Sequence, residues 1–269
     1  MRELERTAAD STEPRTPATA GRLRMAIVGR GRVGGGLSAA LREAGHGVEG
    51  PVGRAGLGEG SSVIDAVLLC VPDAEIAAAA AGVAGKARFV GHTSGATRLS
   101  ELDAAGAEAF GLHPLQTIAG ADTDLRGCGC AIAGTTAAAL ELARLLALDL
   151  GMEPAEIADE DRPAYHAAAS IASNFLLTLE AAAESVAAGA GIGSDDARRL
   201  LGPLVRTTVD NWLALGPRDA LTGPVSRGDR ATVEAQRAAV EATAPELLPM
   251  FDELVERTEA LAGHVGSAA

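Results

Sequence analysis

A glycine-rich hexapeptide near the N-terminus has the spacing G-x-G-x-x-G of a phosphate-binding turn: Gly29-Arg30-Gly31-Arg32-Val33-Gly34. An apolar segment at 23–28 predicts a strand before it, and residues 33–44 predict a helix after it, which is the context that this pattern requires. We expect Gly29 to allow a tight turn, Gly31 to let the backbone approach a pyrophosphate, and Gly34 to let the helix pack closely on the strand. All six residues are therefore predicted to bind a dinucleotide, and a glycine-rich turn without function is the alternative.

The end of the second predicted strand discriminates between the two nicotinamide dinucleotides. Glu49 lies about 20 residues after the glycines, where an acidic residue binds the ribose of NAD, but the strand continues past it to Gly53-Arg54. A guanidinium at that point suits a 2′-phosphate, because it donates two parallel hydrogen bonds. We therefore predict NADP(H) in preference to NAD(H), with Arg54 at the 2′-phosphate and Arg30 as a second candidate. A solvated surface arginine is the alternative for Arg54.

Four polar residues recur at every fourth position of an apolar stretch that predicts a helix: His166, Ser170, Asn174 and Thr178. Four residues turn an α-helix by about 400°, so these side chains form one slowly drifting line. One interpretation is hydrogen bonding between core helices. The other is that His166 and Asn174 face a cleft beside the nicotinamide, where histidine exchanges a proton and asparagine holds a carbonyl or carboxylate.

Two segments follow predicted strands and are expected at the carboxyl edge of the sheet, where open α/β folds bind ligands. The strand at 65–71 is closed by Pro72, and the strand at 87–91 leads into the segment 92–96, His-Thr-Ser-Gly-Ala. We predict that Val71, Pro72 and Ser94 contact the cofactor. The segment 113–117, His-Pro-Leu-Gln-Thr, adds an imidazole and an amide. We predict that His113 lies near the nicotinamide, and a structural histidine is the alternative.

A loop between two predicted helices, residues 221–229, has the sequence Leu-Thr-Gly-Pro-Val-Ser-Arg-Gly-Asp. Glycine and proline make it a rigid connection, and Ser226 or Asp229 can cap the next helix. The combination of a hydroxyl with an arginine can also bind an anionic group of a substrate. A capped helix linker is the alternative interpretation.

The order of predicted elements indicates an α/β fold followed by helices. Strands alternate with helices up to about residue 157, which predicts a Rossmann domain with a mostly parallel sheet. The remainder predicts long helices at 160–189, 194–215, 229–241 and 244–264. We therefore predict a disordered tail at 1–22, a Rossmann dinucleotide-binding domain at 23–156 and an all-α C-terminal domain at 157–269.

The composition limits the partners and the compartment. The formal net charge of the 269-residue chain is −13, which argues against nucleic acid, because its phosphates require clustered Lys and Arg. No apolar run approaches the roughly 18–20 residues that span a bilayer, and residues 1–22 lack the apolar region of a signal peptide. The three cysteines, Cys70, Cys128 and Cys130, are too sparse for a metal site. We expect reduced, buried thiols in a cytoplasmic protein without a metal or a membrane contact.

The motifs GRGRVG, HTSGA, HPLQT, YHAAASIASN and LTGPVSRGD, with their spacing, resemble a bacterial family that joins a Rossmann-like domain to a C-terminal helical domain of unknown function, number 2520. The resemblance extends over nearly everything from residue 23 onward and implies an NADP-dependent oxidoreductase without a settled substrate. The chain is distantly similar to other members of the 6-phosphogluconate dehydrogenase-like superfamily: deazaflavin-dependent NADP oxidoreductases, pyrroline-5-carboxylate reductases and prephenate dehydrogenases. In the pyrroline-5-carboxylate reductases a Thr/Ser-Pro-Gly loop holds the substrate, and Thr222-Gly223-Pro224 looks like its counterpart. The C-terminal helices of such proteins pack between two subunits, which implies a homodimer.

The chain departs from part of this superfamily at one position. β-Hydroxyacid dehydrogenases and ketopantoate reductases place a catalytic lysine four residues before an asparagine, whereas Ser170 precedes Asn174 here. Either His166 takes over the proton transfer, or the protein is not a hydroxyacid dehydrogenase. Reduction of an imine tolerates the loss better, because its substrate can arrive already protonated.

Together these observations predict an NADP(H)-dependent oxidoreductase that transfers a hydride to or from a small, anionic, carboxylate-bearing carbonyl or imine compound. His166 is the expected acid or base, and Asn174 and Thr222 are expected to bind the substrate. A dinucleotide-binding sensor or assembly protein without catalysis is the main alternative. A hydrolase or isomerase on the same fold is a weaker one, since the sequence has no nucleophile elbow.

Overall fold

The computed structural model describes residues 22–53, 57, 64–120 and 122–263. The chain divides into two compact units between Ala169 and Ser170. The first unit contains a seven-stranded sheet with helices, and the second unit is helical. Of the tail predicted at 1–22, only Arg22 lies within the described residues.

The sheet has the strand order β2-β1-β3-β4-β5-β6-β7. Its strands are β1 (Arg24–Val28), β2 (Gly47–Val52), β3 (Ile64–Leu69), β4 (Ala87–His92), β5 (Glu108–Pro114), β6 (Gly129–Gly134) and β7 (Glu153–Glu156). All neighbouring strands are parallel except β5 and β6. After β1 the chain adds β2 on one side and β3 on the other, so the order reverses between β1 and β3. The carboxyl ends of these two strands are where such folds bind ligands.

Both faces of the sheet are covered, as expected for nearly continuous apolar strands. Helices α1 (Arg32–Glu43) and α3 (Ala137–Asp149) bury leucines and alanines in the core on one face. Helix α2 (Ile76–Gly82) and a 3₁₀ segment, Leu99–Ala105, pack into the core on the other face. The predicted α/β class with a mostly parallel sheet is confirmed.

The first unit extends past residue 156, the predicted end of the Rossmann domain. Helix α4 (Arg162–Ser170) begins with Arg162, whose side chain is 2% exposed and hydrogen-bonded to the loop after β4. The sequence pattern assigns this helix to the C-terminal domain, as its first element. Its N-terminal end is instead anchored to the sheet unit.

The second unit consists of helices among the described residues. A π-helical turn at Ile171–Phe175 precedes α5 (Leu176–Gly189). Helices α6 (Ser194–Ala220), α7 (Arg230–Thr243) and α8 (Leu248–Ala262) follow, and α6 is interrupted at Gly216, where φ is 77°. None of the helices in the described ranges has the length and apolar character that a membrane crossing requires.

Candidate active site

The three glycines of the hexapeptide have different surroundings. Gly29 has a φ of +117°, and a Cβ there would overlap the carbonyl of Cys70 at the end of β3. A Cβ on Gly34 would overlap the carbonyl oxygen of Gly29. A Cβ on Gly31, in contrast, would have no atom within 4 Å, and the φ of −71° at this position suits any residue. Thus two glycines are required by packing, while the open side of Gly31 fits the approach of a ligand.

The start of α1 provides unpaired backbone donors. Gly31 is the N-cap and offers no side chain to the first turn, which also contains no acidic residue. Gly35 is the first residue whose N–H bonds back to Gly31, at 2.9 Å. The N–H groups of Arg32, Val33 and Gly34 therefore have no partner among the described residues and can bind an anion, which the helix dipole favours.

Arg30 lies at the end of β2. Its guanidinium carbon is 3.6 Å from the position of a Cβ on Gly53, the residue after the strand. Arg54, the predicted 2′-phosphate ligand, falls outside the described residues. Glu49 pairs with Ala26 within the strand, so it precedes the strand end by three residues. Of the two arginines predicted to bind the 2′-phosphate, Arg30 is therefore the one within the described residues, and it lies next to the end of β2.

The loop after β4 is held by its own side chains. The hydroxyl of Ser94 accepts hydrogen bonds from the N–H groups of Ala96 and Thr97, at 3.2 and 2.9 Å, and bonds to the Thr97 hydroxyl. Nδ1 of the fully buried His92 accepts the Ser94 N–H at 3.2 Å. The Ser94 hydroxyl is therefore engaged within the loop, and Ser94 shapes this edge mainly through its backbone. Strand β3 ends at Leu69, so Val71, predicted as its last residue, lies with Pro72 in the loop that follows, and their contact with the cofactor stays a prediction.

An ion pair that was not predicted from the sequence, with a buried arginine and a partly exposed aspartate, joins this loop to α4. Arg162 donates to the Asp159 carboxylate at 2.9 Å and to the Ser94 carbonyl at 3.0 Å. Asp159 also accepts the N–H of Leu99. Burial lowers the pKa of Arg162, and the attraction of Asp159 opposes that shift. The pair fixes the position of the helix that carries His166.

The structure brings His113 and His166 together. Their ring centroids are 6.0 Å apart, and both rings border Gly95. A Cβ on Gly95 would lie 2.7 Å from Nδ1 of His166 and 3.0 Å from Nε2 of His113. Nδ1 of His113 forms a 2.8 Å hydrogen bond with the hydroxyl of Tyr165. We call these four residues, His113, Tyr165, His166 and Gly95, the histidine cluster.

Two groups of the histidine cluster, the His113 ring and the Tyr165 hydroxyl, are neutral at physiological pH. Burial, with smaller contributions from His166 and Arg162, lowers the pKa of His113 to about 4, and Asp73 opposes the shift. Burial raises the pKa of Tyr165 to about 12. Nδ1 of His166 is buried and has no hydrogen-bond partner among the described residues. The sequence signals for Tyr165 were its position next to His166 and the scarcity of aromatic residues, 2% of the chain.

The other predicted substrate ligands belong to the second unit. Asn174 lies in the π-helical turn and is exposed, and the exposed Thr178 donates to its carbonyl oxygen at 3.3 Å. The π turn interrupts the regular four-residue line that an unbroken α-helix predicts, because it holds an extra residue. The exposure of residues 171–175 also differs from the expected core helix.

The loop at 221–229 caps the following helix, as one of its two interpretations predicts. The Asp229 carboxylate accepts the N–H of Thr232 at 3.2 Å, and the hydroxyl of Ser226 donates to the Gly223 carbonyl at 3.0 Å. Thr222 is exposed. A cleft next to this loop is lined by Val225, Gly228, Asp229, Arg230, Val233, Glu234 and Glu259. Thr222 does not line this cleft. Its lining has three carboxylates, Asp229, Glu234 and Glu259, and one guanidinium, Arg230, which does not favour an anionic ligand.

The three cysteines of the described part of the chain are thiols, and two of them lie in the core. Cys70, Cys128 and Cys130 are free, and Cys70 and Cys130 are buried. Burial raises the pKa of each of these two thiols to about 12. No group of three or more metal-ligating side chains occurs among the residues that the structure describes.

Comparison with solved structures identifies the fold. A Bacteroides fragilis protein assigned as an NADP oxidoreductase is 18% identical, with a TM-score of 0.73 over 89% of this chain and 98% of that one. A Thermotoga maritima protein is 22% identical, with a TM-score of 0.73 over 89% and 99%. Pyrroline carboxylate reductase from Plasmodium falciparum, with NADP bound, is 10% identical, with a TM-score of 0.57 over 90% and 100%.

The sequence comparisons are more restricted. No curated protein matches the chain. One family model matches residues 128–258, that of the domain of unknown function DUF2520. This region includes β6 and β7, helix α4 with its histidine, and most of the helical unit. Residues 128–258 therefore match the model of the domain of unknown function 2520 that the motifs resemble.

Proposed function

We propose that the chain is an NADP(H)-dependent oxidoreductase that transfers a hydride to or from a small carboxylate-bearing carbonyl or imine compound. The observation that carries the proposal is the start of α1, where Gly31 has an open side and the next amides are unpaired. Packing explains Gly29 and Gly34 but gives no reason for a glycine at position 31. A pyrophosphate that approaches the backbone closely does give one.

The preference for NADP(H) is supported by Arg30. Its guanidinium lies at the end of β2, where a 2′-phosphate binds in this kind of fold. Guanidinium and phosphate pair through two charge-assisted hydrogen bonds. Two of the similar structures point in the same direction, since one is assigned as an NADP oxidoreductase and the other has NADP bound. Arg54 remains a proposed second ligand.

The histidine cluster is the proposed site of proton exchange. A bound nicotinamide cofactor supplies or accepts the hydride. A carbonyl or a neutral imine that gains a hydride at carbon must also gain a proton at oxygen or nitrogen, and we assign the transfer of that proton to His166. Its buried Nδ1 has no partner among the described residues, so no protein contact within them competes for it. Lys86, the only lysine of the chain, precedes β4 and so lies at the opposite edge of the sheet.

The class of substrate is inferred from similarity. The Plasmodium falciparum protein is named for pyrroline carboxylate, a cyclic imine that bears a carboxylate. We propose a related small carbonyl or imine acid here, with Asn174 and Thr222 as ligands on the strength of the resemblance alone.

A homodimer is part of the proposal. The second unit exposes large apolar side chains along the π turn, α5 and α6, including Leu177 and Leu213, each 70% exposed, and Leu204, 63% exposed. Helices α5 and α6 pack against each other, and both carry such exposed side chains. Soluble monomers rarely expose extended apolar surface. We propose that a second copy of the chain covers it.

The decisive experiment is cofactor binding to Gly31→Ala. Because the space beside Gly31 is open, the variant is expected to fold with an unchanged melting temperature, but its Cβ occupies the path of the pyrophosphate. Calorimetry should show NADPH binding to the native protein and an affinity at least about tenfold lower in the variant. Gly202→Ala, at an equally open glycine in α6, is the matched control and should bind as the native protein does.

Three outcomes would change the proposal. Absence of binding to either NADPH or NADH by the native protein would refute it. Equal affinity for the two would remove the role of Arg30. Binding of NADPH without turnover of keto acids, hydroxy acids or cyclic imines would favour the alternative function, a dinucleotide-binding sensor without catalysis. With an active substrate in hand, His166→Ala should reduce turnover and leave NADPH affinity unchanged.

A further inference from the structure

Tyr165 makes a directed contact with one ring nitrogen of the histidine cluster. Its hydroxyl lies 2.8 Å from Nδ1 of His113, and the two rings meet edge to face with centroids 5.6 Å apart. The contact joins the start of α4 to the end of β5. It leaves the other ring nitrogen of His113, Nε2, on the side of Gly95 and His166.

The hydrogen bond has two possible directions, and the structure favours one. A neutral imidazole carries one proton, on either Nδ1 or Nε2. If Nδ1 carried it, the Tyr165 hydroxyl would accept that proton, and its own proton would lack an acceptor among the described residues. If the hydroxyl donates to Nδ1, the hydroxyl proton and the Nδ1 lone pair are both used, and the remaining ring proton lies on Nε2, on the side of Gly95 and His166.

The surroundings of Nε2 are consistent with a donor at that position. Nε2 of His113 and Nδ1 of His166 border the same side of Gly95, within 3.0 and 2.7 Å of a Cβ position there. Nδ1 of His166 has no hydrogen-bond partner among the described residues. The N–H of one ring and the unpartnered nitrogen of the other thus lie against the same residue, Gly95.

We propose that Tyr165 is a positioning residue, whose hydroxyl fixes His113 as the neutral tautomer with its proton on Nε2 and so presents a hydrogen-bond donor beside His166. What this donor contacts rests on the proposed function: a carbonyl oxygen or an unprotonated imine nitrogen accepts it. An imine that is already protonated has no lone pair to accept it. Tyr165 thereby selects the protonation state of the group that the cluster recognises.

The test reads the tautomer directly, without cofactor or substrate. The full chain is labelled with ¹⁵N-histidine, and long-range ¹H–¹⁵N spectra are assigned among its five histidines. In the native protein we expect His113 to show a protonated Nε2 and an unprotonated Nδ1. In Tyr165→Phe we expect a mixture of tautomers and titration of His113 at higher pH, because the lost hydrogen bond stabilised the neutral ring.

The control is a second histidine held by a side chain. Nε2 of His46 contacts the Asp149 carboxylate at 3.2 Å, so Asp149→Asn should change the signals of His46 and leave those of His113 as they are. A proton on Nδ1 of His113 in the native protein would overturn the proposal, as would unchanged His113 signals in folded Tyr165→Phe. The native spectrum decides even where the variant does not fold. Since no nucleotide is present, failure here is distinguishable from failure to bind NADPH.

Discussion

His92 makes the stability of the site edge sensitive to acid. Burial, with a smaller contribution from Arg162, lowers its pKa from 6.5 to about 4. Below pH 6.5 the His92 ring binds a proton in the unfolded chain. In the folded protein it binds one only when the pH approaches 4. The contribution of His92 to stability is therefore complete above pH 6.5 and is lost as the pH falls toward 4.

We predict that His92→Asn is less sensitive to acid than the native protein. The asparagine oxygen can still accept the N–H of Ser94, which His92 accepts at 3.2 Å, but it does not titrate. Between pH 7 and 4.5 the variant should lose roughly 2 kcal/mol less of its free energy of unfolding, since one shifted group contributes at most about 1.4 kcal/mol per pH unit. Urea denaturation at a series of pH values measures this. If the free energies of unfolding of the two proteins changed with pH by the same amount, the prediction would be contradicted.

For individual residues, the sequence predicted where a functional residue lies in the fold better than which side chain it contacts. The spacing of the glycines predicts their separate roles, and the strand ends predict where His92 and His113 lie. The Arg162–Asp159 pair and the Tyr165–His113 bond were missed, because neither joins residues of one recognisable motif. Asp159 and Arg162 are only three residues apart, but Tyr165 and His113 are 52 residues apart and are brought together by the packing of α4 on the sheet.

Helix α3 depends on a capping residue at its start. The Thr136 hydroxyl accepts the N–H of Ala139 at 3.1 Å, and the helix buries five residues against the sheet: Ala139, Leu142, Ala143, Leu146 and Ala147. We predict that Thr136→Ala lowers the free energy of unfolding by about 1 kcal/mol. Thr136→Ser keeps the hydroxyl and should lose much less in the same urea titration. Equal losses would show that the cap does not stabilise the helix.

Elements with strong apolar patterns were predicted, and those without them were not. Strands β1, β3 and β4 are apolar runs next to glycine or proline. Strand β7, Glu-Pro-Ala-Glu, has no such pattern, because it is an edge strand that pairs only with β6. The antiparallel direction of β6 depends on its chain connection and not on its own residues. The π turn at Ile171–Phe175 was not predicted, because the sequence pattern was interpreted with the constant period of an α-helix.

At the scale of the molecule, the exposed apolar surface of α5 and α6 sets the expected assembly. We predict a dimer in solution by light scattering coupled to size exclusion, and a monomer for Leu213→Glu, because a charge at the centre of such a surface is not paired. Leu148→Glu places the same charge on a leucine of α3 that is 46% exposed, so it should remain dimeric. A native monomer would refute the proposed pairing.

The buried thiols make the protein convenient for chemical labelling. Burial raises the pKa of Cys70 and Cys130 to about 12, so both remain thiols at pH 7, and the thiolate is the form that attacks a maleimide. Cys128 is only partly buried, so it is the one native position to replace before labelling. A cysteine introduced at the exposed Ser185 of α5 then becomes a selective attachment point for a fluorophore or spin label, which allows distances between two copies to be followed in solution.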